Sequence, residues 1–223
     1  MCDRSLIRPQ DVGEAALTAL ANVAWNAALA EALTPTLHAV ELSLRNWMDR
    51  AISTQLASQG FAHPNNWLQF DHSWMHLDDQ ELIDRARKKT SGRAGSGHND
   101  LVATTSFALW TNMIDNSVVW GAMTSYQAGK LTKDYDRKTL HKQFDDIRNL
   151  RNRAYHLEPI FCQKDLSDVY GLSLLLLQRL SLRWLELTGM LDRFPDVFDH
   201  GNGWEAFKVS LFDYYQLAKI PDG

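Results

Sequence analysis

The sequence predicts an all-α fold, a helical bundle with additional helices and long loops. Three observations predict it. Apolar residues recur at three- and four-residue spacing through most of the chain. No series of alternating apolar and polar residues reads as a set of strands, and no internal repeat is present. The periodic segments are bounded by capping residues, prolines and glycines. With 223 residues, 45% of them hydrophobic and 22% charged, the chain can bury one sizeable core, so disorder is not expected to dominate. Residues 1–12 read as a loose arm and 13–223 as a single helical domain.

In the segment 14–33, Leu17, Leu20, Ala21, Ala24, Ala28 and Leu29 recur at helical spacing. Thr34-Pro35 punctuates it, as an N-cap and first-turn proline for a second helix over 35–57. Leu37, Val40, Leu44, Met48, Ile52 and Leu56 form that helix's apolar stripe. Glu41 and Arg45 stand four apart beside the stripe, as a surface pair or a partly buried one. Residues 60–76 form a loop rich in aromatics, expected to pack through Trp67, Phe70 and Trp74. Asp78 or Asp79 is expected to cap a short helix running to Lys89. Residues 90–97, with three glycines and two serines, read as a flexible link. Asp100 is expected to cap a helix to Ile114, and 120–133 reads as a short helix and a turn. Asp136 opens a helix to Leu157. The next, over 165–188, is the most apolar, with Leu174–Leu177 placed at the centre of the core. A last helix is expected over 204–217. The eight tryptophans, Trp110 and Trp120 among them, are read as buried surface.

Net charge is −4, which excludes a protein that coats polyanions through overall charge; any nucleic-acid role must rest on a local patch. Cys2 and Cys162 form no spaced framework and fit a reducing cytoplasm. No apolar leader opens the sequence, and the most apolar run, 172–177, is far shorter than the ~20 residues that span a bilayer. A cytoplasmic protein with no membrane partner is expected.

The residues 147–160 concentrate phosphate-directed chemistry. With Arg148 at zero on a helical wheel, Asn152 falls at about +40°, His156 at about +80°, Tyr155 at about −20° and Arg151 at about −60°. Leu140, Ile147, Leu150, Ala154 and Leu157 lie on the other side, with Phe144 between. Arginine offers phosphate a planar, permanently charged fork. Histidine exchanges a proton near neutral pH. Together they suit RNA cleavage without metal, with Asn152 orienting either group. The competing reading is a solvated helix C-terminus, where cations are favoured. Arg151 and His156, five apart, would not touch on a regular helix. They can share a cleft's two margins, or meet if the last turn loosens before Pro159 or if two chains bring such helices together.

Arg151-Asn152-Arg153-Ala154-Tyr155-His156 matches the R-x4-H motif of the HEPN superfamily. With its flanks, Leu150 before it and Leu157-Glu158-Pro159-Ile160-Phe161 after it, it resembles the motif region of the Abi-like (abortive infection) proteins. Trp25-Asn26-Ala27-Ala28-Leu29-Ala30-Glu31-Ala32-Leu33 and Leu37-His38-Ala39-Val40-Glu41-Leu42-Ser43-Leu44-Arg45-Asn46 resemble that family's opening helices. Ser106-Phe107-Ala108-Leu109-Trp110 resembles its middle segment. The resemblance covers most of residues 20–185. It implies an all-α HEPN-like bundle and a metal-independent endoribonuclease, toxin-like or antiphage, with a composite site across a homodimer. RNA would be the substrate, and an antitoxin or a phage trigger a candidate partner. It places Arg151 and His156 as the catalytic pair. Asn152 supports them, with Arg148, Tyr155, Glu41, Arg45 and Asn46 around them; no cofactor and no metal are called for. The chain departs from the family's pattern at Tyr155, where a small residue is usual, and at Leu157, where a second histidine is usual. A non-catalytic module binding RNA or a protein is the alternative.

Arg85, Arg87, Lys88, Lys89 and Arg93 form a basic run, either a solvated helix end or a phosphate-tracking arm, to which Arg153 adds. His72 and His76 have a metal-ligand spacing but no third ligand is evident. The glycine-rich 91–97 lacks the Gly-Lys-Ser/Thr ending of a phosphate loop. Cys162 is read as a buried structural cysteine.

Overall fold

The computed structural model describes residues 12–70, 74–91 and 97–199. Among them every regular element is helical. The arm over 1–11, most of the link over 90–97, His72 and the expected helix over 204–217 lie outside the described residues.

Helix α1 (Val12–Ser58) is one element of 47 residues, about 70 Å long. Two helices divided at Thr34-Pro35 were expected. Pro35 lies instead inside one continuous helix, although a proline removes an N–H donor and crowds the preceding turn. The Thr34 hydroxyl donates to the Ala30 carbonyl at 2.8 Å, and Leu33, Thr36 and Leu37 are buried on either side. Packing on both sides of the proline outweighs its local cost, as tertiary contact generally outweighs propensity. The expected stripe Leu37, Val40, Leu44, Met48 and Ile52 is buried; Leu20 is exposed. Around α1 pack α3 (His98–Thr104), α4 (Phe107–Met113), α5 (Ser117–Ser125), α6 (Arg137–Tyr155), α7 (Leu166–Leu180), α8 (Leu182–Leu191) and α9 (Phe194–Asp199). Helix α2 (Leu77–Thr90) lies outside this ring against α3 and α4.

The loop after α1 holds a 3₁₀ turn (Pro64–Gln69). Trp67 is buried there and donates to Asp49 Oδ1 at 2.7 Å; His98 Nε2 meets the same oxygen at 2.7 Å. One carboxylate thus ties the loop and the start of α3 to α1. Helix α2 has no side-chain cap: His76 stands at the N-cap, and Asp78 and Asp79 fall inside the first turn, where Asp79 is buried and accepts from Asn112 Nδ2 at 3.2 Å.

Two sequence expectations of single helices are corrected. The segment expected as one helix to Ile114 is two, with Thr105 and Ser106 extended. Thr105 makes the corner: its hydroxyl donates to the Val102 carbonyl at 2.6 Å and accepts from Trp110 Nε1 at 2.8 Å. The apolar helix over 165–188 is also two, divided at extended Ser181, whose hydroxyl accepts from Trp184 N at 3.3 Å. Serine there acts as an N-cap. Leu176 and Leu177 enter the core, but Leu175 is exposed. Helix α5 starts earlier than expected, at a cap by Asn116, which accepts from Val118 N and Val119 N. No helix among the described residues is long and apolar enough to cross a membrane.

Candidate functional site

Helix α6 positions the candidate site. Asp136 caps it as expected, accepting from Lys138 N at 2.9 Å and Thr139 N at 3.0 Å. Leu140, Phe144, Ile147, Leu150 and Ala154 are its buried face. Leu157, expected on that face, is 62% exposed and lies beyond the helix end.

The end of α6 does not loosen. His156 is the C-cap, and Leu157 takes φ +54°. Leu157 N donates to the Ala154 carbonyl at 3.1 Å, and Glu158 N to the Arg153 carbonyl at 2.9 Å. That is the bond pattern of a Schellman closure, with leucine where glycine is usual. Asn26 of α1, nearly fully buried, grips the exit. Its Nδ2 donates to the Leu157 carbonyl at 3.2 Å and the Glu158 carbonyl at 3.0 Å. Its Oδ1 accepts from Ile160 N at 2.8 Å. The sequence reading gave Asn26 no role. The signal was present: on the helical wheel Asn26 falls in line with Ala30, Leu33 and Leu37, and a polar residue on an apolar stripe marks a buried bond.

Arg151 leaves the same helix towards α1. Its Nη2 lies 3.2 Å from Glu41 Oε2. That oxygen has no hydrogen-bond partner, so the approach is off-line and the attraction Coulombic rather than a directed bond. Arg151 Nη1 donates to Asn152 Oδ1 at 3.2 Å, and its guanidinium carbon lies 5.3 Å from the Tyr155 ring centre. Tyr155 is 75% exposed; its ring meets His156 edge-on at 5.7 Å. His156 and Asn152 are exposed. Within one chain, the Arg151 guanidinium and the His156 imidazole thus both lie against the Tyr155 ring.

Behind Arg151 sits a buried pair. Arg45 Nη2 donates to Glu41 Oε1 at 2.7 Å. Arg45 also donates to the Ala103 carbonyl at 3.0 Å and the Thr105 carbonyl at 3.2 Å. The break between α3 and α4 exposes those two carbonyls to it. Burial pushes the Arg45 guanidinium below its usual pKa; Glu41 raises it and Arg151 lowers it. An arginine so placed keeps its charge at neutral pH. The partly buried reading of the Glu41–Arg45 pair is the correct one.

Other expected site residues are placed elsewhere. Asn46 is exposed, while its neighbour Arg45 is buried. Arg148 is anchored: it donates to Thr111 Oγ1 at 3.1 Å and Asn112 Oδ1 at 3.2 Å and pairs with Asp145. Arg153 holds the turn, donating to Gln163 Oε1 and the Pro159 carbonyl, each at 2.7 Å. Arg87 is spent on the loop, donating to the Leu68 carbonyl at 2.9 Å and the Phe70 carbonyl at 2.6 Å. These three guanidiniums are held by groups of the protein. Arg85 pairs with Glu81 in the open; Lys88 and Lys89 are exposed; Arg93 lies outside the described residues. Cys162, expected buried, is exposed. Among the described residues no group of three or more His, Cys, Asp or Glu is placed to hold a metal.

No protein-family model matches the chain, and no curated protein or solved structure matches it. The site is therefore read from its own geometry.

Proposed function

We propose that this chain is a metal-independent endoribonuclease of the HEPN type, Abi-like, acting as a homodimer with a toxin-like or antiphage role. One observation carries the reading. Arg151, held at its inner side by Glu41, stands beside exposed Tyr155 and His156 at the solvent end of α6. His156 takes the proton of a ribose 2′-hydroxyl as the 2′-oxygen bonds to phosphorus. The bond from phosphorus to the 5′-oxygen breaks, and that oxygen takes a proton, from the imidazolium or from water. Arg151 meets the charge that builds on the phosphate. Arg151 and His156 stand five apart, about 140° around a regular helix, which favours their meeting across two chains.

The test is cleavage of RNA in EDTA by the wild type, Arg151→Ala and His156→Ala. Each substitution is expected to lower the rate by about 10²- to 10⁴-fold. Cleavage that survives both, or that needs metal, sinks the reading. The second reading is a non-catalytic module that binds RNA or a protein. It is favoured by the His156 ring, whose nitrogens have no partner among the described residues to fix a tautomer. It predicts salt-sensitive RNA binding, or partner binding, with no product at high protein.

A further inference from the structure

Glu41, Arg45 and Arg151 run from the interior to the surface with uneven charge: one negative group and two positive ones. Arg45 is committed through both terminal nitrogens, by a 2.7 Å bond to Glu41 Oε1 and by two backbone carbonyls. Its side chain is 8% exposed, that of Glu41 7% and that of Arg151 29%. Arg151 touches only the second carboxylate oxygen, off-line, at 3.2 Å. The Glu41 charge is thus answered from inside, and Glu41 orients Arg151 without neutralising it.

We propose that Arg45 is a positioning residue: by neutralising Glu41 from the protein side, it leaves the Arg151 charge available to an RNA phosphate. The inference rests on the reading of Arg151 as a phosphate ligand. Arg45 itself is buried against the carbonyls of Ala103 and Thr105 and touches no substrate. With Arg45 removed, Glu41 has only Arg151 as counter-ion and draws it inward, because an unpaired buried carboxylate is costly.

The experiment is binding of a labelled single-stranded RNA oligonucleotide over a range of KCl concentrations, read by fluorescence anisotropy, with thermal unfolding run on every variant. Arg151→Ala is expected to flatten the slope of log affinity against log salt by about 0.7, the loss of one phosphate contact on a single strand. Arg45→Met is expected to flatten it as much while Arg151 is intact. Arg45→Lys keeps the wild-type slope. Glu41→Gln with Arg45→Met removes both inner charges and returns the slope to the wild-type value. A residue that only stabilised the fold would give a double variant at least as impaired as the single one.

An unchanged slope in Arg45→Met beside a flattened one in Arg151→Ala overturns the proposal and leaves the phosphate reading standing. An unchanged slope in Arg151→Ala overturns both. If Arg45→Met does not fold, Arg45→Gln, which can still bond Glu41 but carries no charge, takes its place: a flattened slope supports the proposal and the wild-type slope overturns it.

Discussion

At the scale of single residues, the closure of α6 carries the clearest strain. Leu157 sits at φ +54°, where a side chain costs roughly 1–2 kcal/mol. Leucine is exposed there and contributes little packing. Leu157→Gly is therefore expected to raise stability by about 1 kcal/mol in urea unfolding, while Leu157→Ala, which keeps a Cβ, gives no such gain. Asn26 works in the opposite direction. Its three bonds hold the backbone of Leu157, Glu158 and Ile160, and Ile160 is fully buried. Asn26→Ala is expected to cost about 2–3 kcal/mol in the same assay, since it orphans a buried N–H. A loss below about 0.5 kcal/mol would mean that the turn holds itself, well under the usual cost of an unmade bond. Residue chemistry was legible in part. The wheel placed Arg151, Tyr155 and His156 on one side of α6, but nothing in the local sequence showed that Arg148 and Arg153 would be consumed by Asn112, Gln163 and the Pro159 carbonyl. Those partners are remote in sequence or lie across an unforeseen turn.

At the scale of elements, apolar periodicity showed where helices run and failed where they join or divide. Pro35 reads as a boundary because the rule for proline is local; the packing that carries α1 through it is not. The corners at Thr105 and Ser181 were missed because serine and threonine at a division look no different from those on a surface. In both corners the hydroxyl makes the local bond that ends or starts a helix. Between elements, Asp79 of α2, Asn112 of α4 and Arg148 of α6 form a line of polar contacts. Burial raises the pKa of the Asp79 carboxyl above its ordinary value, with the Asn112 bond opposing. A raised folded-state pKa means that the native state holds the proton more tightly than the unfolded chain. Stability is then lost as pH rises through that pKa, and no loss exists below the unfolded value. Asp79→Asn keeps an acceptor for Asn112 and cannot ionise. It is expected to raise Tm at pH 7 and leave it unchanged near about pH 3, below the ordinary aspartate range. Equal effects at both pH values would show that ionisation is not the cause.

At the scale of the whole molecule, the all-helical character is what the sequence made most legible, because it needs only periodicity. Partnership between chains is not encoded in any one segment, and the proposed dimer is tested by mixing two inactive variants. Arg151→Ala and His156→Ala, each silent alone, are expected together to recover about a quarter of wild-type cleavage if each site takes one group from each chain. Random pairing makes half the dimers mixed, each with one intact site. No recovery would confine the chemistry to one chain or remove it. The unbroken α1 has a further consequence. Asn26 and Glu41 lie 15 positions apart on a single rod, about 22 Å along it and only about 60° apart around it. One holds the chain just after His156; the other holds Arg151. Deleting one residue between them would turn Glu41 by about 100° relative to Asn26. The segment can therefore change its composition more readily than its length, and α1 acts as a gauge that keeps the two ends of the site in phase.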